Sequence, residues 1–213
     1  MILFDGCSWT YGDELANPEE NRFSALIGKP HINLGQCGKS NDGILRTTIE
    51  YCEKNEVDIA VIQFTAYSRT EFRCERTDDY YYFSVGGMTK GKSPVKEMSK
   101  IYYEHLHNTN LHIANYHKNK FLLESYFKLK GIKHYFVNLE RYIDLEGTKT
   151  PSSWYNIMDK SPVVSLRRLI GDRHKVPENY CQGRYKNDDK HSGGHPNEKG
   201  HRIIADHISE NIF

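Results

Sequence analysis

The sequence predicts an α/β protein: a three-layer sandwich whose helices cover both faces of a central, mostly parallel sheet. Three observations carry that expectation. Short apolar runs alternate along the chain with stretches of helical periodicity. The run from Val57 to Phe64 is apolar almost throughout, the pattern of a strand buried on both faces. Three of the runs end in small or polar turns, at Ser8, Gly38 and Thr65, so one edge of a parallel sheet gathers all three.

In chain order, residues 2–7 read as a buried strand. Glu19 to Gly28 reads as a short helix with Phe23, Leu26 and Ile27 on one side and Gly28 as its stop. His31 to Leu34 is a second strand that runs into Gly35-Gln36-Cys37-Gly38. Ser40 to Glu53 fits a helix, with Ser40 as cap and Ile44, Leu45, Thr48, Ile49 and Cys52 at helical spacing. After the strand ending at Phe64, a helix spans about Leu111 to Leu129 and a strand covers Phe136 to Leu139. The last helix covers about Glu198 to Ile212. The whole chain, 1–213, is read as a single domain with inserted loops at about 70–108 and 147–194.

Composition narrows the function. There are 29 basic and 28 acidic residues, a net charge of +1, so no nucleic-acid partner is implied by charge. Mean hydropathy is −0.72, and no run approaches the roughly 20 apolar residues that span a bilayer. No signal-type stretch opens the chain. The five cysteines are scattered without paired metal spacing, so a cytoplasmic, reduced protein with no metal and no cofactor is expected. Fifteen tyrosines suit either a wet binding surface or a small core topped up with aromatics.

Ser8 sits where the first strand breaks, in Gly6-Cys7-Ser8 with Gly12 close behind. Near the other end stands His195-Pro196-Asn197, followed by Gly200-His201. A serine hydroxyl is a poor nucleophile until a base takes its proton, so a serine and a histidine brought together make acyl chemistry possible. The first turn lacks the Gly-x-Gly-x-x-Gly spacing of a dinucleotide site.

These blocks resemble the SGNH hydrolases, also called GDSL-like esterases and lipases. Gly6-Cys7-Ser8 with Gly12 is similar to the Gly-Asp-Ser block, cysteine replacing aspartate. Asn33-Leu34-Gly35-Gln36-Cys37-Gly38 is similar to the second block, and His195-Pro196-Asn197 to the last. The resemblance implies a flavodoxin-like sheet, Ser8 as nucleophile, His195 as base, and the amides of Ser8 and Gly38 as oxyanion donors. His191 competes with His195 from the same polar loop, and His201 reads as structural. Two departures stand out. The third block's asparagine is missing from Gln63-Phe64-Thr65-Ala66, where Thr65, Gln63 or Asn41 can donate instead, or backbone amides can act alone. The acid three residues before the base is replaced by Ser192. Asp189 is preferred to Asp188 for that role, with a backbone carbonyl as the alternative.

The expected activity is hydrolysis of an ester, an O-acyl and foremost an O-acetyl group on a small polar or carbohydrate substrate. Asn41, Arg69 and Tyr81 are the candidate substrate-binding residues. Arg69 can instead form a structural ion pair with Glu71. An acyltransferase, or a non-catalytic carbohydrate-binding module with a decayed site, are the alternatives. Aromatic residues in 70–108, Tyr80 to Phe83 with Tyr102 and Tyr103, are expected to wall a carbohydrate-sized cleft. Oligomeric state is left open.

Overall fold

The computed structural model describes residues 1–84, 94–139, 163–170, 181–182 and 195–213. The chain begins with β1 (Ile2–Asp5) and turns at once into the four-residue helix α1 (Ser8–Tyr11). The short helices α2 (Pro18–Asn21) and α3 (Phe23–Leu26) lead to β2 (His31–Asn33), α4 (Asn41–Cys52) and β3 (Ile59–Phe64). An antiparallel hairpin follows, β4 (Thr70–Cys74) and β5 (Asp79–Phe83). Next come α5 (Pro94–Ile101), a π-helical segment at Tyr102–Leu106, α6 (Thr109–Lys130) and β6 (Lys133–Asn138). The remaining elements are β7 (Val164–Ser165), α7 (Leu166–Leu169), β8 (Cys181–Gln182), β9 (His195–Pro196) and α8 (Glu198–Ile212).

The main sheet has the order β2-β1-β3-β6-β7, and every pairing in it is parallel. The strand order reverses between β1 and β3. In open α/β sheets that switch point, at the carboxyl ends of the strands, is where ligands bind. Alternation along β3 builds the layers. Val61 joins a core with Phe4, Phe23, Leu166, Ile204 and Ile208, under α3, α7 and α8. Ala60, Ile62 and Phe64 join the opposite core with Ile44, Tyr116, Leu123 and Phe127, under α4 and α6. Each fully buried side chain of this size contributes about 1.5–3 kcal/mol, so both faces must be covered for the sheet to hold.

Two expectations need correction. The helix expected over Glu19 to Gly28 is broken at Arg22, whose backbone is extended (φ −71°, ψ 152°). The cause is tertiary: the Phe23 N–H donates to His201 Nδ1 at 3.1 Å, and the two rings stack. The stretch 70–108 is not a loop insertion in its described part. Thr70 to Phe83 forms the hairpin, seated on α4 where Gly43 leaves room: a Cβ there would lie 2.6 Å from Glu71 Oε2. Other boundaries move by a few residues, and Ser40 caps α4 as expected, accepting from the Gly43 N–H at 3.0 Å. Among the described residues no helix is long and apolar enough to cross a membrane.

Candidate active site

The site begins with a buried acid. Asp5, the last residue of β1, is wholly enclosed and meets Lys39 Nζ at 2.6 Å, with Lys39 1% exposed. Thr47 and Thr48 of α4 donate to the other carboxylate oxygen at 2.6 and 3.0 Å, and the Gly6 N–H donates to the first at 2.7 Å. Burial pushes the Asp5 carboxyl up, and Lys39 and the two threonines pull against it. Lys39 also donates to the Leu34 carbonyl at 2.9 Å. One charge pair thus ties the end of β1, the loop after β2 and helix α4 together.

On that foundation the chain turns sharply. Gly6 is needed for closeness, since a Cβ there would fall 2.2 Å from Thr10 Oγ1. Cys7 is fully buried, and Gln63 locks it in place: Gln63 Oε1 accepts from Thr10 Oγ1 at 2.7 Å and from the Cys7 N–H at 3.3 Å. Ser8 is the first residue of α1, with an amide that the helix itself leaves without a partner. Gly12 ends the helix in the left-handed region at φ 85°, its N–H on the Ser8 carbonyl at 3.0 Å.

His195 is carried by β9, which pairs with β8, and the helix behind it is capped by Asn197, accepting from Gly200 N–H at 3.0 Å. His195 Nε2 and Ser8 Oγ are 2.9 Å apart. On the far side of the ring, Nδ1 approaches Glu14 Oε2 at 3.2 Å, an ion-pair distance whose angle falls outside hydrogen-bond alignment. Asp13 Oδ2 stands 3.8 Å from Nε2. Glu14 holds a positive φ of 73°, which a side-chain-bearing residue adopts at a cost of about 1–3 kcal/mol and which is often found at functional sites. The imidazole of His195 therefore stands between a serine at one nitrogen and a carboxylate at the other.

Glu14 is not among the site residues expected from the sequence. The acids expected beside the histidine, Asp189 and Asp188, lie outside the described residues, as does His191. The available signal was an acidic pair, Asp13-Glu14, directly after the glycine that ends the serine's own turn. His201 is fully buried, and burial together with His195 holds it down to about 3, so it is neutral.

The second loop packs against the serine turn. Gln36 N–H donates to the Gly6 carbonyl at 3.1 Å, and a Cβ on Gly35 would lie 2.7 Å from the Tyr11 backbone nitrogen. Gly38 follows in the left-handed region at φ 81°. Of the side chains considered as a further oxyanion donor, Gln63 and Asn41 are engaged elsewhere, while Thr65 Oγ1 is buried with no hydrogen-bond partner among the described residues. Gln63 serves Cys7 and Thr10. Buried Asn41 accepts from the Thr65 N–H at 2.9 Å and donates to the Thr65 carbonyl at 3.2 Å, so it positions Thr65.

Arg69 and Glu71 do not pair. Glu71 takes Arg46 from α4, at 3.2 and 3.3 Å through two nitrogens, because the hairpin lays β4 across that helix. Arg46 in turn stacks on Tyr80 at 3.5 Å. Arg69 stands in the turn after β3. Burial pushes the Cys7 thiol up, but the Arg69 charge, the Trp9 amide, Gln63 and Thr65 together bring it below its ordinary value. Tyr81 turns its hydroxyl to Thr77 at the hairpin's own tip, 3.3 Å away. Tyr82 on the other face reaches the second loop, donating to Gln36 Oε1 at 3.2 Å.

No family model matches the chain, and no curated protein matches it in sequence. Solved structures do. A G-D-S-L family protein described as lipolytic, from Desulfitobacterium hafniense DCB-2, superposes with a TM-score of 0.52. The fold is the G-D-S-L fold. That match covers 98% of this chain and 97% of the other at 15% identity. A protein described as an acylhydrolase, from Bacteroides fragilis NCTC 9343, gives a TM-score of 0.50 at 14% identity, covering 99% of this chain and 85% of its own. The G-D-S-L fold thus carries over at an identity that leaves the side chains to be judged on their own geometry.

Proposed function

We propose that the protein is a serine esterase. The observation that carries this reading is the 2.9 Å approach of His195 Nε2 to Ser8 Oγ, two residues 187 positions apart. In the proposed reaction Ser8 Oγ attacks the ester carbonyl carbon as its proton passes to His195 Nε2. The amides of Ser8 and Gly38 receive the negative charge that forms on the carbonyl oxygen. The tetrahedral adduct collapses, the C–O bond to the alcohol breaks, and His195 returns the proton to the departing alkoxide. Water then attacks the acyl-serine, again losing its proton to His195, and the carboxylic acid and free Ser8 are regenerated.

Glu14 is the group proposed to orient the imidazole, in place of Asp189. It approaches Nδ1, so it favours the tautomer with a proton there and leaves Nε2 open to accept from Ser8. The third-block asparagine has no counterpart, and the oxyanion rests on the two amides.

For the substrate we assign an O-acyl group, foremost acetyl, on a small polar carrier of carbohydrate size. The support is the aromatic hairpin: Tyr82 borders the loop that carries Gly38, and Phe72 stays 41% exposed.

The test is labelling with a fluorophosphonate together with turnover of a short aryl ester. Wild-type protein should label at Ser8, and Ser8→Ala and His195→Ala should each lose label and turnover while remaining folded by circular dichroism. The double variant should be little worse than either single one, since the pair acts as a unit. Glu14→Gln should lower kcat by about 10²-fold or more, by analogy with loss of a triad acid, while Asp13→Asn does less. Labelling of a residue other than Ser8 would overturn the assignment.

A further inference from the structure

Arg69 is a cation without an acidic partner among the described residues. It belongs to the turn that leaves the carboxyl end of β3, closed by its own N–H on the Ala66 carbonyl at 3.1 Å. That end of the sheet is the one on which Ser8 stands. Its guanidinium is partly buried, and Nη1 is enclosed with no hydrogen-bond partner among the described residues. The acid nearest in sequence, Glu71, is held by Arg46. No ion pair to Arg69 occurs among the described residues. The charge is felt by Cys7, the neighbour of Ser8, and by Tyr103. Tyr103 closes the turn from the π-helical segment by donating to the Ser68 carbonyl at 2.8 Å.

A partly desolvated cation with no counter-charge beside it is costly to keep, and a guanidinium is the side chain best shaped to receive a planar carboxylate through two N–H groups. We propose that Arg69 anchors a carboxylate on the substrate, so that the ester cleaved at Ser8 is an anionic one. The carboxylate sits on the acyl chain, as in a dicarboxylic half-ester, or on the alcohol, as in an acylated sugar acid. The identity of the substrate as an ester rests on the esterase reading; the anion site itself does not.

Two matched pairs of probes separate the sources. On the acyl side, 4-nitrophenyl hemisuccinate is compared with 4-nitrophenyl butyrate. On the alcohol side, 4-acetoxybenzoate is compared with 4-acetoxybenzamide. One pair should favour its anionic member in kcat/KM by about tenfold or more, the scale of one charge-assisted hydrogen bond. Arg69→Gln should collapse that ratio toward one, with Arg69→Lys in between. A wild-type ratio near one in both pairs overturns the proposal, as does a ratio that survives Arg69→Gln. If the wild-type protein turns over none of the four, the esterase reading fails, and binding decides the anion site separately. Succinate or 4-hydroxybenzoate should then raise the melting temperature of wild-type and Ser8→Ala protein but not of Arg69→Gln. Equal shifts in all three, or none in any, would overturn it.

Discussion

Lys39 and Arg69 are two cations beside the same sheet edge, held in opposite ways. Lys39 is sealed from water, but Asp5 meets it at 2.6 Å and the Leu34 carbonyl takes another of its protons. Asp5 is itself bonded by Gly6, Thr47 and Thr48. Arg69 keeps part of its surface and has no acid among the described residues. A buried charge whose partners are all supplied by the fold is structural. A charge with no counter-charge among the described residues is available to a ligand. The difference lies in partners, since burial alone would rank Lys39 as the costlier of the two.

The sharpest way to break the comparison is to remove Lys39. Lys39→Met should destabilise by about 3–5 kcal/mol in urea unfolding, because it leaves Asp5 buried and unpaired. Changing Asp5→Asn in the same chain should recover part of that loss. Full stability in the single variant would mean that the pair does not anchor the serine turn.

Acid tests a third kind of buried group, one kept neutral. His201 is held down to about 3, whereas an unfolded histidine titrates near 6.5. Between those values the unfolded chain binds a proton that the folded chain refuses. Stability from this site is therefore complete above about pH 6.5 and falls away as pH drops toward 3, by about 2 kcal/mol at pH 5. His117, lowered to about 4 by burial, adds in the same direction. His201→Gln, which can still accept from Phe23, should flatten this slope, measured as melting temperature against pH. An unchanged slope would clear His201 of the effect.

Smaller effects sharpen the contrast. Arg46→Met should cost about 1 kcal/mol, since the Glu71 pair is half-buried and the Tyr80 stack adds to it. Arg69→Gln should change stability by no more than about 0.5 kcal/mol, or raise it, because no ion pair among the described residues is forfeited. A loss as large as that of Lys39→Met would show Arg69 to be structural.

Much of the fold was legible because its strands are apolar runs and its helices carry periodic faces. Ser40 and Gly43 make the start of α4 readable from local chemistry alone. The hairpin was hidden for a physical reason. Its strands alternate charge with aromatic residues, and its turn, Glu75 to Asp78, reaches positive φ at Asp78 without a glycine to announce it. The break at Arg22 was hidden because a histidine 178 residues away from Phe23 takes the amide that would have continued the helix. In the site, Ser8 and His195 could be singled out by their turn and block residues. Glu14 could not, because its place beside the imidazole comes from backbone strain at one residue, which leaves no periodic trace. The alternative pairing of Arg69 with Glu71 was open for want of any sign that α4 would bring Arg46 to that acid.

Ser8 and Glu14 lie six residues apart just after the end of β1, while the imidazole between them comes from β9, 187 residues beyond Ser8. A ribosome delivers the two in that order, so hydroxyl and carboxylate stand ready long before the ring that joins them is made. Under the proposed chemistry the nascent protein is inert by construction. Its hydroxyl becomes nucleophilic only once the ring of His195 has been made and brought beside it.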